Sequence, residues 1–316
     1  MRRSFKIANL AAAMFAAIIL VLSCGKPDSS ARGVTGLYSS DSSLAIPETK
    51  EADSLSYEEE ALPETPLPEG PVFGPTLAPA LPPVEPGIVE HGDRRRAVVA
   101  VTFDACEGKT PSGFDHEVWQ ILNEKAAKAT VFLGGKWMET NPEETRMLSE
   151  SPLIEIGNHS YIHPDFRKIS AHRMEEEIKR TQDIQWALTG EQGTLFRFPF
   201  GTYNESALQA VAGTGLRAIQ WDVVSGDPDY RVTARRMTRS VLTRSRPGSI
   251  IIFHINGRGQ HTAEALPDII DGLREKGLRL VTVSELMGYV PEAPAMSASR
   301  HAPLAGGRFF PEASCF

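Results

Sequence analysis

Two histidines, His159 and His163, stand with three residues between them in the run Gly157, Asn158, His159, Ser160, Tyr161, Ile162, His163. One helical turn or a tight loop across that spacing can aim both imidazoles at one cation and leave positions for water and substrate. The same spacing also occurs as incidental polar surface, so neighbouring motifs must decide between the two. Asp104 follows Val101, Thr102 and Phe103 and precedes Ala105, Cys106, Glu107 and Gly108. A carboxylate placed there can accept a proton in a reaction or cap the next turn. Arg197, in Phe196, Arg197, Phe198, Pro199, Phe200, Gly201, carries a guanidinium able to fork onto such a carboxylate or to sit in an exposed ion pair. His254 closes the apolar run Ile250, Ile251, Ile252, Phe253, as a rim acid/base or as a core histidine with a backbone partner. A nucleophilic role for Cys106 would need a histidine partner and an electropositive setting; a small buried filler or a bridge partner is the simpler reading.

These residues fall at the ends of short β-branched runs, which read as strands: Ala97 to Phe103, Ala129 to Leu133, Leu153 to Ile156, Leu195 to Phe198, Leu216 to Val223, Ser249 to Phe253 and Leu278 to Val281. Helical periodicity fills the gaps, over Glu117 to Ala127, Glu143 to Glu150, Ala171 to Leu188, Glu205 to Ala212, Thr233 to Thr243 and around Leu266, Ile269, Ile270 and Leu273. In the helix from Ala171, the residues Met174, Ile178, Thr181 and Leu188 form a buried stripe. Glu175 with Lys179 and Glu176 with Arg180 form four-residue pairs on a solvated face. Alternating strands and helices predict an α/β domain with a mostly parallel sheet, closed as a barrel or open and doubly wound; either way chemistry gathers at the strand C-terminal ends.

Across Ala97 to Gly288 the order of motifs resembles the polysaccharide deacetylase family, the NodB-like carbohydrate esterases. The resemblance implies a distorted (β/α) barrel of about seven parallel strands. It implies Asp104 of the TFDAC run as general base and His159 and His163 as metal ligands. It further implies Arg197 as the partner of Asp104, the Phe200 backbone N–H as oxyanion donor, Ile252 as part of an acetyl-methyl pocket and His254 as general acid. Asp227, followed by Pro228 where the family has tryptophan, corresponds to the partner of the acid histidine. The family's third metal ligand is a carboxylate at the position of Ala105. Its replacement is expected to be Asp115, or less readily Glu107, reached through the loop from Gly108 to Gly113, since oxygen ligands suit zinc. Asp115 competes for a second role as N-cap of the helix that begins near Glu117 and Val118.

The N-terminus carries Arg2, Arg3 and Lys6 ahead of an apolar run from Leu10 to Leu22, shorter than the ~20 residues of a membrane span and typical of an export signal. Val21, Leu22, Ser23 and Cys24 resemble a bacterial lipoprotein cleavage box, so residues 1–23 are read as a signal peptide and Cys24 as a lipidation site. Residues 24–93 are rich in Pro, Ser and Glu and are read as a disordered tether, 94–291 as the catalytic domain and 292–316 as a tail. Cys106 and Cys315 would remain after processing, and an oxidising compartment would permit them to pair.

Charge narrows the partners. The chain of 316 residues carries −7 overall; Gly25 to Asp93 holds thirteen acidic and three basic side chains and the signal adds three positive charges, so the remainder from Arg94 is near neutral. That excludes a strong electrostatic footprint for nucleic acid. The reading is therefore a membrane-anchored lipoprotein of the cell envelope, facing the periplasm or exterior. It would use a divalent cation, expected to be zinc, to hydrolyse acetyl groups from an N-acetylated polysaccharide. Two alternatives stay open: an O-acetyl esterase of the same fold, and a non-catalytic glycan-binding lipoprotein that lost its metal through Ala105.

Overall fold

The computed structural model describes residues 77–108 and 112–290. The signal run, Cys24, most of the tether, the tail and Cys315 lie outside the described residues. Among the described residues no helix is long and apolar enough to cross a membrane.

Among the described residues nine strands form a parallel sheet: β1 (Ile88–Val89), β2 (Val98–Ala105), β3 (Ala129–Leu133), β4 (Ile154–Asn158), β5 (Leu195–Phe196), β6 (Arg217–Ile219), β7 (Val223–Val224), β8 (Ile250–His254) and β9 (Arg279–Leu280). The order is β1-β6-β5-β4-β3-β2-β8-β7, with β9 paired to the start of β2. The order itself requires curvature. Six inter-strand spacings separate β6 from β7 along it, about 29 Å in a flat sheet. Yet only Gln220, Trp221 and Asp222 join them, a link whose four steps reach at most about 14 Å. The sheet must therefore curl towards a barrel, and the strand C-terminal ends converge on one rim.

β2 is central and buried at all eight positions, as expected of a strand covered on both faces. Val99, Val101, Phe103 and Ala105 face the helices α1 (His116–Glu124) and α7 (Thr262–Glu275), packing with Leu122, Ile269, Ile270 and Leu273. On the other face Val98 and Ala100 join Phe132, Ile219 and Ile250 in the barrel interior. The period of two then puts Thr102 and Asp104 above them on that same interior face.

The remaining helices are α2 (Gly135–Thr140), α3 (Pro142–Ser149), α4 (Ala171–Thr189), α5 (Glu205–Gly213), α6 (Ala234–Arg244) and α8 (Val283–Met287). Periodicity does not reveal α2 and α8, whose five or six residues are too few to repeat a pattern. The single strand expected over Leu216 to Val223 divides into β6 and β7 at the corner described above. In α4, Met174, Ile178, Thr181 and Leu188 are buried as expected, and so is Glu177. Glu175 pairs with Lys179. Arg180 instead pairs with Glu139 at 3.5 Å and lies over the Tyr161 ring, while Glu176 meets His172 and Arg173.

The end of the expected tether, residues 77–93, is docked on the domain. Ile88 and Val89 pair with Ala218 and Ile219, Val84 N–H donates to the Ala212 carbonyl, and Ala78 N–H donates to Asp183. Gly215, at φ +83°, makes room for this segment: a Cβ there would stand 2.4 Å from that of Leu81. A proline-rich composition argues against a core of its own; it does not exclude hydrogen bonding onto a sheet edge already formed.

Candidate active site

The rim is built by strand register. β2 and β8 lie side by side with Thr102 beside Ile252 and Asp104 beside His254, so the expected base and acid are adjacent on neighbouring strands. β4 leads directly into His159, and β5 into Arg197.

Arg197 is fully buried, and its guanidinium donates to Asp104 Oδ1 (2.8 Å), to Thr102 Oγ1 (2.9 Å) and towards the carbonyls of Ile219 and Gln220. Its face lies 4.0 Å above the centre of the Phe132 ring. Burial alone would push the Asp104 carboxyl up, but Arg197, His159 and His254 outweigh it and hold the group below the ordinary carboxylate range. Asp104 is thus an ionised acceptor with Oδ1 occupied and Oδ2 turned towards His159.

The histidine loop is held from beneath by Glu177, whose carboxylate accepts from Tyr161 N–H (2.8 Å) and Ile162 N–H (2.9 Å) and pairs with Arg173 at 2.9 Å. Asn158 accepts from Ser160 N–H, and His163 N–H donates to Ser160 Oγ. Ser160 and His163 both sit at φ 62°, a left-handed conformation that this surrounding network enforces. His159 Nδ1 lies 2.9 Å from the Arg197 carbonyl; a carbonyl only accepts, so Nδ1 carries the proton and Nε2 presents a lone pair. That lone pair faces Asp104 Oδ2 at 3.6 Å. The two imidazole rings are 4.9 Å apart. Burial, with His159, Arg258 and His254 nearby, keeps His163 well below the usual histidine range, so it too is neutral, as a ligand must be.

The donor set at this point is Cys106, His159 and His163, with one ligand atom from each all within 4.8 Å of one another. A tetrahedral zinc ion sets its ligand atoms about 3.3–3.8 Å apart. Small side-chain rotations close the difference, so these residues fit a divalent cation.

Asp115 is not part of this cluster. Its Oδ1 accepts from the backbone N–H groups of Glu117 (3.1 Å) and Val118 (3.0 Å) and caps α1. The expectation that it ligates the metal is corrected: two otherwise unpartnered helix N–H groups claim the carboxylate. Glu107 is likewise engaged, with Ser112 N–H and the Thr140 hydroxyl. Asp115→Ala should therefore lower stability by about 1 kcal/mol, the usual cost of a lost cap, with no loss of bound metal by elemental analysis.

On the other side of the rim, His254 Nδ1 lies 2.9 Å from Asp227 Oδ1 and His254 N–H donates to Oδ2 at 2.6 Å. Ser225 and Thr262 hydroxyls donate to the same carboxylate. Asp227 therefore fixes the ring with Nδ1 protonated and Nε2 directed away from it, and this role does not require a tryptophan where Pro228 stands. Ile252 is 6% exposed, two residues before His254 on the same interior face. Phe200 occupies a single 3₁₀ turn, Pro199–Gly201, at φ 57°, with its ring edge against His163. Gly201, at φ +64°, lets the turn lie on Trp221, whose ring a Cβ would meet at 2.7 Å.

Two residues of this site escape a reading of the sequence. Glu177 sits in the acidic run Glu175, Glu176, Glu177; the signal that could have singled it out is its place three residues after Met174 and four before Thr181, on the buried stripe of the helix. Cys106 is two positions beyond Asp104, and strand parity is the signal that could have placed it on the same face.

The polysaccharide deacetylase family profile matches residues 91–219. A peptidoglycan-N-acetylglucosamine deacetylase of Bacillus cereus is 32% identical over 62% of this chain and 70% of its own length. Among solved structures, the Bc1960 peptidoglycan N-acetylglucosamine deacetylase superposes with a TM-score of 0.59 at 30% identity, over 64% of this chain and 92% of that one. BA3943 from Bacillus anthracis, described as a pseudoenzyme of carbohydrate esterase family 4, superposes with a TM-score of 0.58 at 25% identity, over 64% and 69%. Curled parallel sheet, ordered rim motifs and relatives agree: the chain belongs to the polysaccharide deacetylase family, the family 4 carbohydrate esterases.

Proposed function

We propose that this protein hydrolyses N-acetyl groups from a peptidoglycan-like or chitin-like polysaccharide, releasing acetate and leaving a free amine. One observation carries the reading: an ionised, arginine-held carboxylate and a carboxylate-oriented imidazole sit on adjacent strands beside two neutral histidines. That is the equipment for adding water to an amide carbonyl and protonating a poor leaving group. The retention of this whole set favours catalysis over the binding-only state of a pseudoenzyme.

His159 and His163 would hold a divalent cation, zinc by donor chemistry, which when bound supplies Lewis acidity to the acetyl oxygen and acidifies water. Asp104 Oδ2 takes the proton from the attacking water, while Arg197 keeps Oδ1 in place. Water adds to the acetyl carbon first, the new C–O bond forming as the carbonyl π electrons move onto oxygen. When that oxyanion collapses the C–N bond breaks, and His254 Nε2–H delivers the proton that the departing amine requires. The Phe200 N–H, presented by the left-handed turn, is the donor for the developing oxyanion. Ile252 supplies an apolar wall for the acetyl methyl.

The place of action in this reading is the cell envelope. Its support is the charged and apolar run before Cys24 and the acidic, proline-rich stretch that would carry the domain away from a membrane surface.

The test is acetate release from purified peptidoglycan and from chitooligosaccharide, with O-acetylated xylan in parallel. Release from the N-acetylated substrates, abolished by chelator and restored by zinc, is the expected result. Release from the xylan alone would transfer the protein to ester hydrolysis, and no release from any substrate would make it a binding protein.

A further inference from the structure

We propose that the Cys106 thiolate is the third metal ligand of this chain, in the place left by the missing carboxylate at Ala105. The inference rests on the metal-site reading above and specifies its chemistry: a sulfur and two nitrogens rather than an oxygen and two nitrogens.

The placement follows from β2. Ala105 is fully buried against the helix layer, in the core cluster with Val101 and Phe103. Cys106, one residue beyond the strand, turns back to the rim face that Asp104 occupies. Its backbone is pinned there: the Cys106 carbonyl accepts from Asn256 Nδ2 at 2.7 Å and from Ser112 Oγ at 2.6 Å. Gly134 closes the other side, where a Cβ would stand 3.4 Å from the Cys106 backbone. Cys106 is 3% exposed, and its sulfur lies within 4.8 Å of the two histidine donor atoms. Both carboxylates that could have reached the site by loop length, Asp115 and Glu107, are committed elsewhere.

The chemistry is consistent with the neighbours. Arg258 Nη1 lies 3.9 Å from the sulfur, and a cation at that distance favours the thiolate. Binding would release the thiol proton to solvent as the metal–sulfur bond forms. A thiolate also changes selectivity: soft sulfur favours zinc and cobalt over manganese or magnesium, which prefer oxygen.

The experiment uses the full-length chain, stripped of metal and titrated with Co²⁺. The expected result is one strongly bound ion with a sulfur-to-cobalt charge-transfer absorption in the near ultraviolet. Cys106→Ser should lose that band and bind Zn²⁺ more than about 100-fold more weakly, beyond the 10–100-fold typical of a lost outer-shell partner. Cys106→Asp should recover binding without the band, which separates ligation from a general folding defect. Stoichiometric Co²⁺ without the band, or Cys106→Ser with band and affinity unchanged, would overturn the proposal; so would a wild-type chain that binds no Co²⁺. Acetate release on the same samples keeps the two readings apart. A charge-transfer band without acetate release upholds Cys106 and sinks the deacetylase reading. Cys106→Ser that binds Zn²⁺ as tightly as the wild type and still releases acetate sinks Cys106 and upholds the deacetylase.

Discussion

Asp104→Asn is expected to cut acetate release by about 10²–10⁴-fold, the range that a positioned general base contributes. The loss should fall on kcat, because the amide keeps the size and hydrogen-bonding oxygen of the carboxylate but cannot accept the proton of water. Substrate contacts made by Ile252 and Phe200 are untouched, so KM should change little. Progress curves on chitooligosaccharide check this. If kcat stayed within a factor of a few of the wild type, the base would have to be another group, and none of the carboxylates described nearby has a comparable position: Asp227 is saturated by His254, Ser225 and Thr262.

Arg197→Met should produce the largest loss of stability of any substitution at the site. The guanidinium is fully buried and compensates the charge of a carboxylate that is itself only 4% exposed. Breaking a buried pair from one side leaves an uncompensated charge and costs about 3–5 kcal/mol. For a domain of this size that is about 6–20 °C in Tm. The double variant Arg197→Met with Asp104→Asn tests the cause. With no carboxylate charge left to strand, it should be clearly less destabilised than the sum of the two single variants. Additive losses in urea denaturation would mean that Arg197 acts by packing against Phe132, and that its charge contributes little.

Local patterns in the chain were sufficient for much of this architecture. Val99, Val101 and Phe103 alternate with Ala100, Thr102 and Asp104, and that period of two already puts one set on the helices and the other inside the barrel. The stripe of Met174, Ile178, Thr181 and Leu188 locates the buried face of α4 in the same way. The rim residues Asp104, His159, Arg197 and His254 are legible because each stands within three residues of the end of an expected strand, and strand ends are where a parallel sheet exposes its chemistry. Asp115 had two readings at the sequence level, and the helix it precedes settled the matter, since a cap needs only the next three residues.

What the sequence by itself determined are the short-range facts: which residues alternate, which segments are helical, and which side chains stand at strand ends. Only the tertiary structure decided which distant ends meet. The three-residue corner between β6 and β7 forces the curl, the curl brings Cys106 to His159 and His163, and the docking of α4 beneath their loop puts Glu177 under the N–H groups of Tyr161 and Ile162. Those outcomes depend on contacts between residues tens of positions apart, and no local period or propensity encodes them.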